Sequence, residues 1–73
     1  MILVKPFVVD IESVDSKNNV SKRRLEADSM EMAEHMLAVH SQVGNVTHIT
    51  IARRLGGPGR RVSKVKAWRK TMA

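Results

Sequence analysis

The positive charges of this chain are concentrated at its C-terminal end. All seven carboxylates lie within residues 1–52, where five Lys or Arg residues leave a net charge of −2. Residues 53–73 contain eight cations and no carboxylate, which gives that segment a charge of +8. The partition is typical of a slightly acidic body that carries a strongly basic tail. Residues 56–73 are called the basic tail below.

The length of 73 residues limits the chain to one domain. A domain of this size buries only about 60% of its unfolded surface, so its core is thin. The chain has no cysteine, which excludes disulfides and thiolate metal sites and suits a reducing cytoplasm. No apolar run approaches the roughly 20 residues of a membrane span, and Met1–Pro6 does not form a signal peptide. We therefore expect a soluble, intracellular protein that makes no membrane contact.

Two segments near the N-terminus predict a β-hairpin. Residues 7–14 are rich in β-branched types, and alternation places Phe7, Val9 and Ile11 on one face, toward the core, and Val8, Asp10 and Glu12 on the other. The polar cluster 15–19 is typical of a hairpin turn. Residues 20–27 then return as a second strand with Leu25 and Ala27 facing inward, although the same residues would suit a helix equally well.

A helix over residues 29–43 is the clearest single element. Asp28 with Glu31 matches a capping box, and Gly44 supplies a stop signal after the helix. The helical period predicts one broad apolar arc that packs on the sheet. Its members are Met32, Ala33, Met36, Leu37, Val39 and Val43.

Alternation of β-branched residues predicts a third strand over residues 46–52, with Ile49 and Ile51 facing inward. The Gly/Pro run 56–59 interrupts regular structure. The following residues fit a fourth strand, a helix formed on binding, or disorder, of which we favour disorder. The predicted fold is α+β with the order ββαβ: a three-stranded, mainly antiparallel sheet with one helix on one face. We expect residues 1–55 to form the compact domain and the basic tail, 56–73, to be flexible. A chain truncated after Leu55 should therefore still fold.

The residues argue against enzymatic chemistry. His35 and His40 are five positions apart on the predicted helix, whereas a helical metal site requires a spacing of four, and no thiolate is present. No nucleophile motif is present, and a domain this small does not enclose a typical substrate pocket. We predict a protein that is not an enzyme and has neither a metal nor a cofactor.

The predicted binding residues lie in and next to the basic tail. A dense run of cations attracts nucleic acid or an acidic protein surface, and salt weakens that attraction. A tryptophan among such cations can stack on a base or anchor a protein interface. The predicted binding residues are Arg53, Arg54, Arg60, Arg61, Lys64, Lys66, Trp68, Arg69 and Lys70.

Several segments together resemble a group of phage proteins. The opening residues 1–11, the Met-rich helix, residues 47–55 and the basic tail are similar to the small transcription regulators of lytic Xanthomonas bacteriophages. The resemblance implies binding to the large subunits of the host RNA polymerase, inhibition of initiation by loosening the sigma factor, and antitermination. It also implies action as a monomer in the cytoplasm of the infected bacterium, with an elongation factor and nearby nucleic acid as further contacts. It assigns no role to an individual residue.

Two other functions fit the same charge distribution. The first is a nucleic-acid-binding protein whose basic tail provides the affinity. The second is a ribosome-associated or virion protein, since a basic Gly/Arg-containing tail on a small body is typical of both. Copurification with polymerase, ribosomes or virions distinguishes them.

Overall fold

A computed structural model describes residues 5–55 and 61–70 as four strands and one helix. Each strand forms where β-branched residues alternate with polar ones, and the helix forms in the Met- and Ala-rich segment. The elements are β1 Phe7–Val14, β2 Val20–Ala27, α1 Met30–His40, β3 Val46–Arg54 and β4 Val62–Arg69. The predicted first and second strands are therefore confirmed, and the third extends two residues further than predicted.

The strands form one antiparallel sheet in the order β2-β1-β3-β4. β1 pairs with β2 through the hairpin and with β3 on its other side, so β1 and β3 are the central strands. Helix α1 connects β2 to β3 and contacts β1, β2 and β3. The predicted α+β class, with one helix and an antiparallel sheet, is confirmed.

The prediction of three strands is wrong, because part of the basic tail forms the fourth strand. β4 pairs with β3 from Val62 opposite Arg54 to Arg69 opposite His48, with a register shift next to Ile51. Residues in this segment alternate as a strand does, and β3 offers them a row of main-chain partners. The expected disorder of the basic tail is therefore wrong for residues 62–69, which this pairing orders. The Gly/Pro run and residues 71–73 lie outside the described residues.

Asp15 organises the turn between β1 and β2. Its carboxylate accepts hydrogen bonds from the main-chain N–H of Lys17 at 2.8 Å and of Asn19 at 2.9 Å. Its carbonyl accepts from the N–H of Asn18, whose φ of 65° is a conformation that Asn tolerates better than most residues. The bond from the Asn19 N–H, followed by the bond from Lys17, lowers the pKa of Asp15.

We expect Asp15→Ala to lower the melting temperature at pH 7 and to have little effect at acidic pH. A carboxylate whose pKa is lower in the folded state stabilises that state above its unfolded pKa of about 4. This contribution disappears as the pH falls through the folded pKa, where both states become protonated. Thermal melts of the variant and the parent between pH 7 and pH 2 test this, with Lys17→Ala as the control because it keeps the turn bonds. A difference that persists undiminished at pH 2 would contradict the assignment.

The helix is shorter than predicted, and its cap is one residue later. Ser29, not Asp28, is the N-cap, and its hydroxyl accepts a hydrogen bond from the N–H of Met32 at 3.2 Å. α1 ends at His40, and the next two turns close through the N–H groups of Gln42 and Val43.

The predicted apolar arc of α1 is too broad. Ala33 is fully buried, and Met36 and Leu37 pack partly against the core. Met32, Val39 and Val43 are exposed instead. A short helix on one face of a sheet buries only a narrow stripe, so the edge of a broad arc remains in water.

The core lies between α1 and the inner face of the sheet, where the predicted inward residues Val9, Ile11, Ile49 and Ile51 are buried. Val8 was correctly assigned to the opposite face by alternation, yet it is fully buried. On that face Val8 lies opposite Ala52 of β3, which is also buried. The neighbouring strands carry long side chains beside these two residues.

Candidate partner-binding surfaces

The C-terminal strand places most of the predicted binding cations along one side of the sheet. β4 is an edge strand, and Arg61, Lys64, Arg69 and Lys70 lie on or next to it with exposed side chains. Arg53 on β3 is also exposed and lies opposite Ser63 of β4. None of these five cations forms an ion pair with any described residue. We call these five residues the basic edge.

Arg54 was predicted to bind a partner, but it is bound within the fold. Its Nε donates to the carbonyl of Lys5 at 3.0 Å, and its Nη2 donates to Glu26 Oε1 at 3.3 Å. Only 23% of its side chain is exposed. These contacts connect the end of β3 to β2 and to the residues before β1, so its role is structural.

Trp68 and Lys66 face the helix side of β4. Trp68 is half-buried, lies opposite Ile49 and packs against the core. The Nζ of Lys66 lies 3.6 Å from Glu34 Oε1 on α1. Both side chains are half exposed, so this pair contributes little to stability. The two residues attach β4 to the rest of the fold.

Lys70 combines a structural contact with an exposed charge. Its N–H donates to the carbonyl of Thr47 at 2.8 Å, and its Nζ donates to the carbonyl of Gly44. The remaining predicted residue, Arg60, lies outside the described residues. The structure therefore assembles five of the nine predicted residues into the basic edge and gives Arg54, Lys66 and Trp68 packing roles.

The face of the sheet opposite α1 carries opposite charges paired across strands. Arg24 on β2 donates from Nε to Asp10 Oδ1 at 2.8 Å and from Nη2 to Asp10 Oδ2 at 3.3 Å. The hydrogen bond and charge of Asp10 raise the pKa of Arg24. On the next pair of strands, His48 Nδ1 lies 3.0 Å from Glu12 Oε2. These contacts occupy Asp10 and Glu12 within the sheet, so neither carboxylate pairs with a cation of the basic edge.

A second group of cations, which was not among the predicted binding residues, lies on the opposite edge strand. Lys22 and Arg23 on β2 are exposed and form no ion pair within the described part of the chain. The sequence contains the run Lys22-Arg23-Arg24, but residues 1–52, in which the run lies, have a net negative charge. Lys22 and Arg23 can be recognised as a counterpart of the basic edge only when β2 and β4 are known to be the two edge strands of the sheet.

Within residues 5–55 and 61–70, no three His, Asp or Glu side chains are close enough to hold a metal ion. In the same part of the chain, no helix has the length and apolar character needed to cross a membrane.

No protein-family model matches this sequence, no curated protein matches it, and no solved structure matches the fold.

Proposed function

We propose that this protein is a non-enzymatic, phage-encoded transcription regulator that binds bacterial RNA polymerase in the infected host. The resemblance of the sequence to small regulators of Xanthomonas bacteriophages supports the choice of partner. The observation that carries the mode of binding is the basic edge, where five exposed cations have no acidic partner in the described residues. They are available for an acidic surface.

Strand pairing makes the basic edge more selective than a flexible tail. Because β4 is hydrogen-bonded to β3, the main chain that carries Lys64 and Arg69 is already ordered before binding. Binding then costs less conformational entropy than ordering a free segment. An ordered row of charges also matches only those partners whose acidic groups have a compatible spacing, which is how charge contributes to specificity.

RNA polymerase combines acidic surfaces with bound nucleic acid, so the basic edge has two kinds of target on one assembly. Attraction between the edge and an acidic surface accelerates association. The sigma factor loosens either because the two proteins occupy overlapping surfaces or because binding shifts a mobile element that sigma requires. The same contact, kept during elongation together with an elongation factor, accounts for antitermination.

We expect Lys64→Glu to slow association with bacterial RNA polymerase about tenfold at low salt, because it reverses a charge at the centre of the basic edge. Lys17→Glu makes the same change in charge at the β1–β2 turn and should slow association much less. Surface-immobilised polymerase core enzyme, treated with nuclease, allows both association rates to be measured. Equal rates for the two variants would contradict a role for the basic edge, and no binding by the parent protein would refute polymerase as the partner.

The second candidate function is binding to nucleic acid, including that of ribosomes or virions, and the same basic edge supports it. If all five cations contact phosphates, the logarithm of the binding constant for duplex DNA should fall with the logarithm of salt concentration with a slope of about −4 to −5. Binding to bare DNA or RNA at physiological salt, together with loss of polymerase capture after nuclease treatment, would favour this candidate.

A further inference from the structure

One side of α1 leaves apolar side chains uncovered above strand β2. Met32, Val39 and Val43 are 41%, 50% and 44% exposed. Met32, the partly buried Met36 and Val39 follow the spacing i, i+4, i+7, which places them on one side of the helix, and Val43 follows in the turn after the helix. Glu34 marks the other side, because it pairs with Lys66 of β4. The apolar side, called the helix flank below, therefore faces the β2 edge of the sheet.

The outer edge of β2 has main-chain groups that no described strand uses. The N–H of Asp15 donates to the carbonyl of Asn19, and the N–H of Val14 donates to Asn45 before β3. Hydrogen-bonded pairs alternate along an antiparallel ladder, so the odd-numbered residues of β1 bond to the odd-numbered residues of β2 that lie opposite them. The N–H and C=O groups of Lys22 and Arg24 consequently point away from the sheet.

A groove connects the helix flank to this free edge. It has a volume of about 490 Å³, and its walls include Ile11 and Val46 from the sheet and Val43 beyond the helix. Lys22 and Arg23 of β2 form its outer rim. The groove thus combines apolar and polar wall residues with two cations, the rim, beside a strand whose outer hydrogen-bonding groups are free.

We propose that an extended, acidic and apolar segment of a partner protein adds to β2 as a fifth strand. Its main chain would pair with the free groups of β2, as in other cases of strand addition. Alternate side chains of an added strand point to opposite faces. Its apolar residues would lie beneath the helix flank, on the face that also carries Arg23, and its acidic residues would meet Lys22 and Arg24 on the opposite face. This assignment does not depend on polymerase being the partner.

Charge selects this occupant over the others. A second copy of the chain paired through β2 would bring Lys22, Arg23 and Arg24 close to the same three cations, which is unfavourable. A nucleic acid would satisfy the rim, but its backbone would leave the helix flank uncovered. An acidic strand with alternating apolar residues satisfies both.

The probe is a seven-residue peptide, Glu-Leu-Glu-Val-Glu-Leu-Glu, acetylated and amidated at its ends, added to the full-length ¹⁵N-labelled protein. We expect saturable NMR shift changes at the amides of β2 and of the helix flank, with smaller changes on β4. The same peptide with Lys in place of Glu should not bind. Changes confined to β4, or none at all, would overturn the proposal. A single-stranded oligonucleotide that shifts the β2 and helix-flank amides as strongly would overturn the choice of a protein partner.

Two variants test the two halves of the contact. Val39→Glu should weaken peptide binding at least tenfold, while Val65→Glu, at an equally exposed valine on the opposite edge strand, should leave it unchanged. Lys22→Pro removes an outward N–H and should weaken binding more than Lys22→Gln, which removes only the charge. Proline is tolerated on an edge strand where its nitrogen faces water, and a thermal melt verifies the fold. Equal binding by Val39→Glu and Val65→Glu would overturn the proposal even if Lys22→Pro does not fold.

Discussion

A chain truncated after Leu55 is expected to lose its cooperative fold. The truncation removes β4, including Trp68, which packs on the core, and it exposes the edge of β3 beside Ile49 and Ile51. Loss of the tryptophan side chain alone costs about 3 kcal/mol. A 73-residue domain has a total stability of roughly 4–11 kcal/mol, so the combined loss is comparable with the whole.

Far-UV circular dichroism and thermal melts of the truncated chain test this expectation. A chain that ends at Lys70 is the control, because it retains all four strands and should melt as the full-length protein does. Trp68→Ala in the full-length chain should give an intermediate melting temperature. A cooperative melt of the chain ending at Leu55 near the parent temperature would show that β4 is dispensable, as the sequence alone had suggested.

The second large effect is expected for Ile49→Ala. Ile49 is fully buried in the central strand β3, where it lies between Ile11 of β1 and Trp68 of β4. Removing its side chain leaves a cavity that the surrounding strands cannot fill, at a cost of about 2–5 kcal/mol. For a domain of this size, that lowers the melting temperature by at least about 10 °C.

Chemical denaturation with a two-state fit measures this cost directly. Val20→Ala is the matched control, because Val20 is an apolar strand residue of β2 that is 57% exposed. Its effect should be within about 0.5 kcal/mol of zero. Similar losses for both variants would mean that the core does not lie where β1, β3 and β4 meet.

The two edges of the sheet separate two kinds of recognition. The basic edge combines five exposed cations with the exposed valines Val62 and Val65 of β4, and its dense charge suits attraction to a broad acidic surface and rapid association. The β2 edge combines charge with the uncovered helix flank, which suits a defined segment of protein. Lys64→Glu and Val39→Glu change one edge each, so failure of one proposal leaves the other open to an independent test.

Local sequence signals were sufficient for the hairpin, the helix and the third strand. The alternation in residues 7–14, the polar turn after them and the Met-rich helical segment each depend on neighbours within a few positions. Alternation also predicted that Val9, Ile11, Ile49 and Ile51 all face the core, because the period of a strand does not depend on its partners.

The surface charge of the candidate site was predictable only in part. The sequence shows that the cations near the C-terminus outnumber the carboxylates, and five of the nine predicted residues form the basic edge. That Arg54 bonds Glu26 and that Trp68 packs on the core depends on contacts between residues far apart in sequence. No local pattern separates a free cation from one that a distant carboxylate neutralises.

The first three strands, the helical segment and the concentration of positive charge at one end follow from the sequence by itself, because each depends on residue type and local period. The tertiary structure alone decided that part of the basic tail becomes β4, that Val8 is buried on the face opposite the helix, and that Met32, Val39 and Val43 remain exposed. Each of these outcomes depends on which part of the folded protein lies against the residue or segment concerned. β3 offers the tail an unpaired edge, neighbouring strands cover Val8, and the sheet extends beneath only one stripe of the helix.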